Sequence, residues 1–186
     1  MASDSRASMV RSAAALIRRR GISATSLSDV LAESGAPRGS IYFHFPKGKE
    51  QLAADAIRWT SDRVLAHQAT CPATTATGVI EWFVDMWRQV VLASNGAAGC
   101  VVAGVALDTP AGGPGLIDVV RSTFRAWADL LASQLRTVGV PEARAGQIAI
   151  ATIAGMEGAL ILCRAEGGPA PLETVAAELL RSLAQA

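Results

Sequence analysis

The stretch SLSDVLAESGAPRGSIYFHFPKGK, residues 26–49, constrains this chain more than any other part of it. Ser26 followed by Asp29 is a helix-start signal, because a hydroxyl and a carboxylate at that spacing satisfy amide groups that a first helical turn leaves unpaired. Leu27, Val30 and Leu31 are the apolar positions of a short helix, and Gly35 ends it by accepting a left-handed backbone. Pro37 fits the first turn of a second helix, where its missing N–H is no loss. The pattern predicts that second helix over Arg38–His44. Two short helices around a tight glycine turn make a helix-turn-helix, a unit whose second helix enters the major groove of DNA.

The rest of the chain is consistent with that reading. Its 186 residues suffice for one or two domains, and 51% apolar against 18% charged residues excludes a disordered chain. The net charge of +1 rules out whole-protein electrostatics as a basis for binding nucleic acid. Distribution matters more: residues 1–50 hold eight Arg and Lys against four Asp and Glu, so this end is basic by four charges and the remainder acidic by three. The expected organisation is a helix-turn-helix domain over residues 1–48 and a second domain over 49–186.

The chain reads as all-α. Helices are expected over Ser5–Arg20, Lys49 to about His67, Thr77–Ala93, Leu116–Val138, Glu142–Ala165 and Leu172–Ala184, with turns at Cys71–Gly78 and Asp108–Gly115. Cys100–Leu107 has the valines of a strand but no partner strand, and is expected to be helical. The apolar run Ile148–Cys163 is broken by Thr152, Gly155, Glu157 and Gly158, which predicts a buried helix and no membrane span. No signal peptide is expected, since Met1-Ala-Ser-Asp leads directly into an amphipathic helix without an apolar run. Three widely spaced cysteines, Cys71, Cys100 and Cys163, imply no disulfide framework, so a reduced cytoplasm is the expected location. No nucleophile elbow, phosphate-cradling glycine loop or metal-spaced ligand set is present, so neither an enzyme nor a cofactor is expected.

Residues 25–52 resemble the DNA-binding domain of TetR-type one-component regulators, through Gly35, the run Ile41-Tyr42-Phe43-His44-Phe45 and the following Lys49-Glu50-Gln51-Leu52. The extended Phe45-Pro46-Lys47-Gly48-Lys49, with Gly99-Cys100-Val101 and Leu107-Asp108-Thr109, is similar to the LmrA/YxaF-like subgroup. The resemblance implies a nine-helix, Ω-like subunit, a homodimer through the last two helices and a central effector pocket. One departure is Pro37, where many relatives carry a helix-capping Ser or Thr.

The expected partners are a double-stranded DNA operator, a second copy of the chain and a small-molecule effector. Arg38 can fork onto guanine O6 and N7, or rest on a phosphate. Pro37 and Gly39 lie at the helix start, where Gly39 lets backbone approach the groove. Ser40 can reach base or phosphate, Tyr42 and His44 carry donors suited to phosphate, and Phe43 can read thymine methyls. Thr25 and Ser26 offer a helix N-terminus to a phosphate or act as plain caps, and Lys47 and Lys49 grip the backbone. Ile41 and Phe45 belong to the small core. Arg18 and Arg19 end a helix whose dipole they complement.

For the effector pocket the candidates are Trp82, Phe83, Met86, Trp87, Cys100, Phe124, Trp127, Met156 and Glu157, aromatic and adaptable side chains that equally suit a core. For the dimer surface they are Ala151, Gly155 and Ala159 at four-residue spacing, with Leu172, Val175, Leu179, Leu180 and Leu183. The expected function is a repressor released from a pseudo-palindromic operator by a largely apolar ligand. The alternatives are a thiol-based redox sensor using Cys100 or Cys163, and a dimeric adaptor that binds no DNA.

Overall fold

The computed structural model describes residues 2–108 and 114–184, and every regular element among them is helical: α1 (Ala2–Arg20), α2 (Leu27–Ser34), α3 (Ser40–His44), α4 (Gly48–Ala69), α5 (Ala76–Ser94), α6 (Val101–Leu107), α7 (Pro114–Thr137), α8 (Glu142–Glu166) and α9 (Ala170–Ala184). Residues 109–113 of the expected Asp108–Gly115 loop lie outside the described residues, while Pro114 and Gly115 open α7.

Local chemistry sets several of the ends. Ser26 caps α2 in a capping box, its hydroxyl accepting from the Asp29 N–H while the Asp29 carboxylate accepts from the Ser26 N–H. Gly35 closes α2 at φ 67°. Thr75 caps α5 by accepting from the Gly78 N–H at 3.1 Å, and Asn95 ends it in the left-handed region. The valines of α6 do not prevent a helix: Val101, Val102 and Val105 are all buried, and that packing outweighs their weak preference for extended backbone. α3 is shorter than the sequence suggests. Arg38 and Gly39 form a turn ahead of it, closed by the Ser40 N–H and hydroxyl, which donate to the Pro37 carbonyl at 2.9 and 2.6 Å.

The chain divides into two compact units that do not follow the boundary expected at residue 48. The first joins residues 1–62 to 100–124, and the second joins 63–99 to 125–186. In the first, α2, α3 and α6 pack on α1 around Met9, Ile17, Ile22, Ile41, Phe45 and Ile57. In the second, α5, α8 and α9 pack together around Ile80, Phe83, Trp87, Leu160 and Leu172. Arg88 on α5 makes a two-pronged ion pair with Glu173 on α9, at 2.6 and 3.0 Å. α8 is longer than the run read from the sequence and, by length and composition alone, long and apolar enough to cross a membrane. Its Ala145, Ile148, Ala149, Thr152, Ile153, Met156 and Leu160 are buried within the chain, as in a core helix.

Candidate nucleic-acid interface

α3 divides its side chains sharply. Ile41 and Phe45 are buried in the first unit, whereas Tyr42 is 68% and Phe43 78% exposed. With only five residues, α3 is held by those two anchors, since so short a helix is not stable by itself. Phe45 is also covered by the Arg6 guanidinium, 5.4 Å from its ring. The Phe43 and His44 rings meet edge to face at 5.1 Å. An open groove between α2 and α3 is lined by Leu27, Ser28, Leu31, Ala36, Arg38 and Tyr42.

The basic residues around this face separate into two groups. Arg19 pairs with Glu33 at 3.1 Å and Arg20 with Asp29 at 2.7 Å, so the end of α1 is tied to α2. Arg18 is half-buried, and that burial lowers its pKa from the ordinary arginine value. The Asp29 carboxyl is held below its usual range, first by the Ser26 hydroxyl that donates to it at 2.7 Å and then by the Ser26 N–H. Arg38 and Lys47, in contrast, are exposed and take part in none of the ion pairs among the described residues. Pro37 and Gly39 are exposed beside Arg38, with open space around the Gly39 Cα.

Two expected phosphate residues are engaged internally. Thr25 is buried, its hydroxyl donating to the Gly21 carbonyl at 2.8 Å. That bond closes the turn before α2, so the side chain is structural. Lys49 donates through Nζ to the Ser23 carbonyl at 3.3 Å. Ser26 stays at the surface as the cap of α2.

Of the expected pocket residues, the structure brings Phe83, Trp87 and Trp127 together, with centroids 6.5 Å apart for Phe83–Trp87 and 6.0 Å for Trp87–Trp127. Met156 is buried in the same unit, and Met86 and Glu157 are half-buried. Trp82 stands apart from this cluster: it stacks on His67 at 4.8 Å and donates its indole N–H to the His67 carbonyl at 3.1 Å. Cys100 and Phe124 belong to the first unit. Trp87 Nε1, on one of the expected pocket residues, and Thr152 Oγ1, which the sequence did not single out for the pocket, are buried with no hydrogen-bond partner among the described residues. A buried unpaired donor is costly and calls for an explanation.

Comparison with known proteins decides what this face belongs to. Residues 10–56 match the bacterial regulatory proteins of the tetR family, and residues 76–178 match the C-terminal domain of LmrA/YxaF-like transcriptional regulators. The chain belongs to the TetR family.

Among relatives of this TetR-family regulator, an uncharacterised HTH-type transcriptional regulator of Mycobacterium tuberculosis is 36% identical over 177 residues, covering 92% of this chain and 90% of its own. The HTH-type transcriptional regulator LmrA of Bacillus subtilis is 29% identical over 171 residues, covering 91% of each. A TetR transcriptional regulator from Legionella pneumophila has the same fold, with a TM-score of 0.86 at 24% identity over 95% of each chain. The protein is accordingly a DNA-binding transcriptional regulator and not an enzyme.

The helices expected at the dimer surface of this TetR-family protein divide the named residues between an inner and an outer face. Gly155 faces α9 of its own chain, where an added Cβ would lie 3.1 Å from Val175 Cγ1 and 3.6 Å from Leu179 Cδ1. Ala159 and Leu172 are buried, Val175, Leu179, Leu180 and Leu183 are half-buried, and Ala151 is exposed. The exposed stripe of α8 runs through Ile150, Ala151, Ala154, Gly158, Ile161 and Leu162, with Ile150 64%, Ile161 57% and Leu162 50% exposed. Its three- and four-residue spacing is legible in the sequence, but two small-residue stripes share α8 and only packing distinguishes them.

Proposed function

We propose that the protein is a homodimeric repressor, released from a pseudo-palindromic operator by a small, largely apolar ligand. The observation that carries this reading is the outer side of α3. Tyr42 and Phe43 stand exposed next to Arg38, which joins no ion pair among the described residues, on a helix whose inner side is anchored by Ile41 and Phe45. Two neighbouring exposed aromatics contribute little to folding, whereas a major groove offers thymine methyls to Phe43, phosphate oxygens to Tyr42 and His44, and guanine acceptors to Arg38. Ser26, Pro37, Gly39, Ser40, Lys47 and Lys49 border this face and complete the contact set; Thr25 supports it from within.

One α3 reads only a few base pairs, so a second copy is needed for a specific site. The apolar stripe on α8, with the half-buried leucines of α9, suits a four-helix bundle across a two-fold axis. The effector belongs at the Phe83–Trp87–Trp127 cluster, where the buried Trp87 indole N–H has no partner among the described residues. A ligand that prefers the released form lowers DNA affinity by its own preference for that form. The protein works in the cytoplasm, beside the DNA it reads.

Footprinting on the DNA flanking its own gene tests the proposal. The expected result is an inverted repeat protected at two half-sites roughly 34–36 Å apart, or a multiple of that spacing. A single protected half-site, or a transcript that falls when the gene is deleted, would refute the dimeric repressor.

A further inference from the structure

The connection between α1 and α2 is held by a residue from outside the helix-turn-helix. Asp108, which follows the last turn of α6, accepts a hydrogen bond through Oδ2 from the Ser23 N–H at 3.0 Å. The Ser23 carbonyl accepts from Lys49 Nζ at 3.3 Å. Both backbone polar groups of Ser23 are therefore gripped, one by an acid and one by a base, three residues ahead of the cap of α2.

The fit of α6 against this connection is close. Gly21 has φ +79°, and a Cβ there would sit 2.7 Å from Asp108 Oδ2. Gly104, one turn earlier on α6, approaches α1 so that a Cβ would lie 3.3 Å from the Ile17 carbonyl oxygen and 4.0 Å from the Gly21 Cα. Two glycines thus clear the path by which the carboxylate reaches the turn. A carboxylate beside a phosphate-facing surface works against DNA by repulsion. Its hydrogen bond is the effect that offsets this, since a bond to a charged acceptor is among the stronger ones.

We propose that Asp108 is a positioning residue for DNA binding: by holding the Ser23 N–H it keeps the start of α2 and the Lys49 ammonium in the pose that meets the phosphate backbone. This rests on the reading that those groups face phosphates. Asp108 touches no DNA itself.

The test is a salt titration of binding to a fluorescently labelled duplex of arbitrary fixed sequence, since phosphate contacts do not depend on sequence. D108A is expected to weaken binding at low salt by about tenfold, and to lower the slope of log affinity against log salt by about one. D108N loses the charge but keeps an acceptor, and is expected to restore the wild-type slope. Melting curves of both variants accompany the titration, because loss of folded protein alone changes the active fraction and not the slope. A D108A slope equal to wild type overturns the inference, as does tighter binding by D108A and D108N alike, which would make Asp108 a repulsive charge only. K49A separates this failure from that of the underlying reading: a K49A slope equal to wild type means that no phosphate is met there, whereas a lowered K49A slope beside an unchanged D108A slope rejects Asp108 alone.

Discussion

Replacing Ile161 by Glu should break the proposed dimer while leaving the subunit folded. Ile161 is 57% exposed in the single chain, so its own core hardly depends on it. Fully burying an isoleucine contributes about 1.5–3 kcal/mol, and the exposed fraction scales this to about 1–1.7 kcal/mol per copy. A two-fold interface counts each residue twice, giving about 2–3 kcal/mol for the lost burial alone. That corresponds to a dimer dissociation constant raised on the order of a hundredfold, before the cost of burying two carboxylates. Sedimentation equilibrium over a range of concentrations reads the change, and circular dichroism checks the fold. Monomer stability should move by no more than about 0.5 kcal/mol, as for other surface substitutions. A variant that stays as dimeric as wild type would place the interface elsewhere and remove the α8 stripe from the argument.

Arg38→Ala should weaken specific operator binding by about 1–3 kcal/mol and relax preference at one base pair, read by competition with operator variants; undiminished affinity would reassign Arg38 to the surface. Ser26→Ala should lower stability by about 1 kcal/mol in denaturant titration through loss of the α2 cap, and an unchanged midpoint would contradict that role. The Asp29 carboxyl is held below its unfolded value by Ser26, so its contribution is present above the unfolded pKa and disappears as pH falls through the folded one; acid titration of D29N should lack that component. Half-buried Cys71 should alkylate before buried Cys100 and Cys163 in the native protein, as followed by mass spectrometry. Rapid loss of DNA binding on modification of Cys100 or Cys163 would favour the redox-sensing alternative.

The helix-turn-helix was legible because its signals are local. Ser26, Asp29 and Gly35 act within a few residues of themselves, and each does in the structure what its chemistry implies. The division of α3 into buried Ile41 and Phe45 and exposed Tyr42 and Phe43 followed from the same short-range pattern. What escaped the sequence depends on contacts between distant stretches. Nothing near Thr25 tells that its hydroxyl turns back to Gly21, and nothing near Asp108 points to Ser23, 85 residues away. The aromatic residues of the body were recognisable as a group. Their sorting was not: Trp82 goes to His67 while Trp87 goes to Trp127, because helical spacing gives the face and not the neighbour.

The composition of the first compact unit has a practical corollary. A gene fragment stopping at residue 62 would omit residues 100–124, which complete that unit. It would uncover the end of α1 near Ile17, where Gly104 approaches, and strip the Ser23 amide of its acceptor. Exchanging DNA-reading portions between relatives is therefore not a matter of one splice. A chimera needs matched junctions on both sides of the intervening sequence, and a grafted N-terminus brings its specificity intact only if the short helix that braces it travels along.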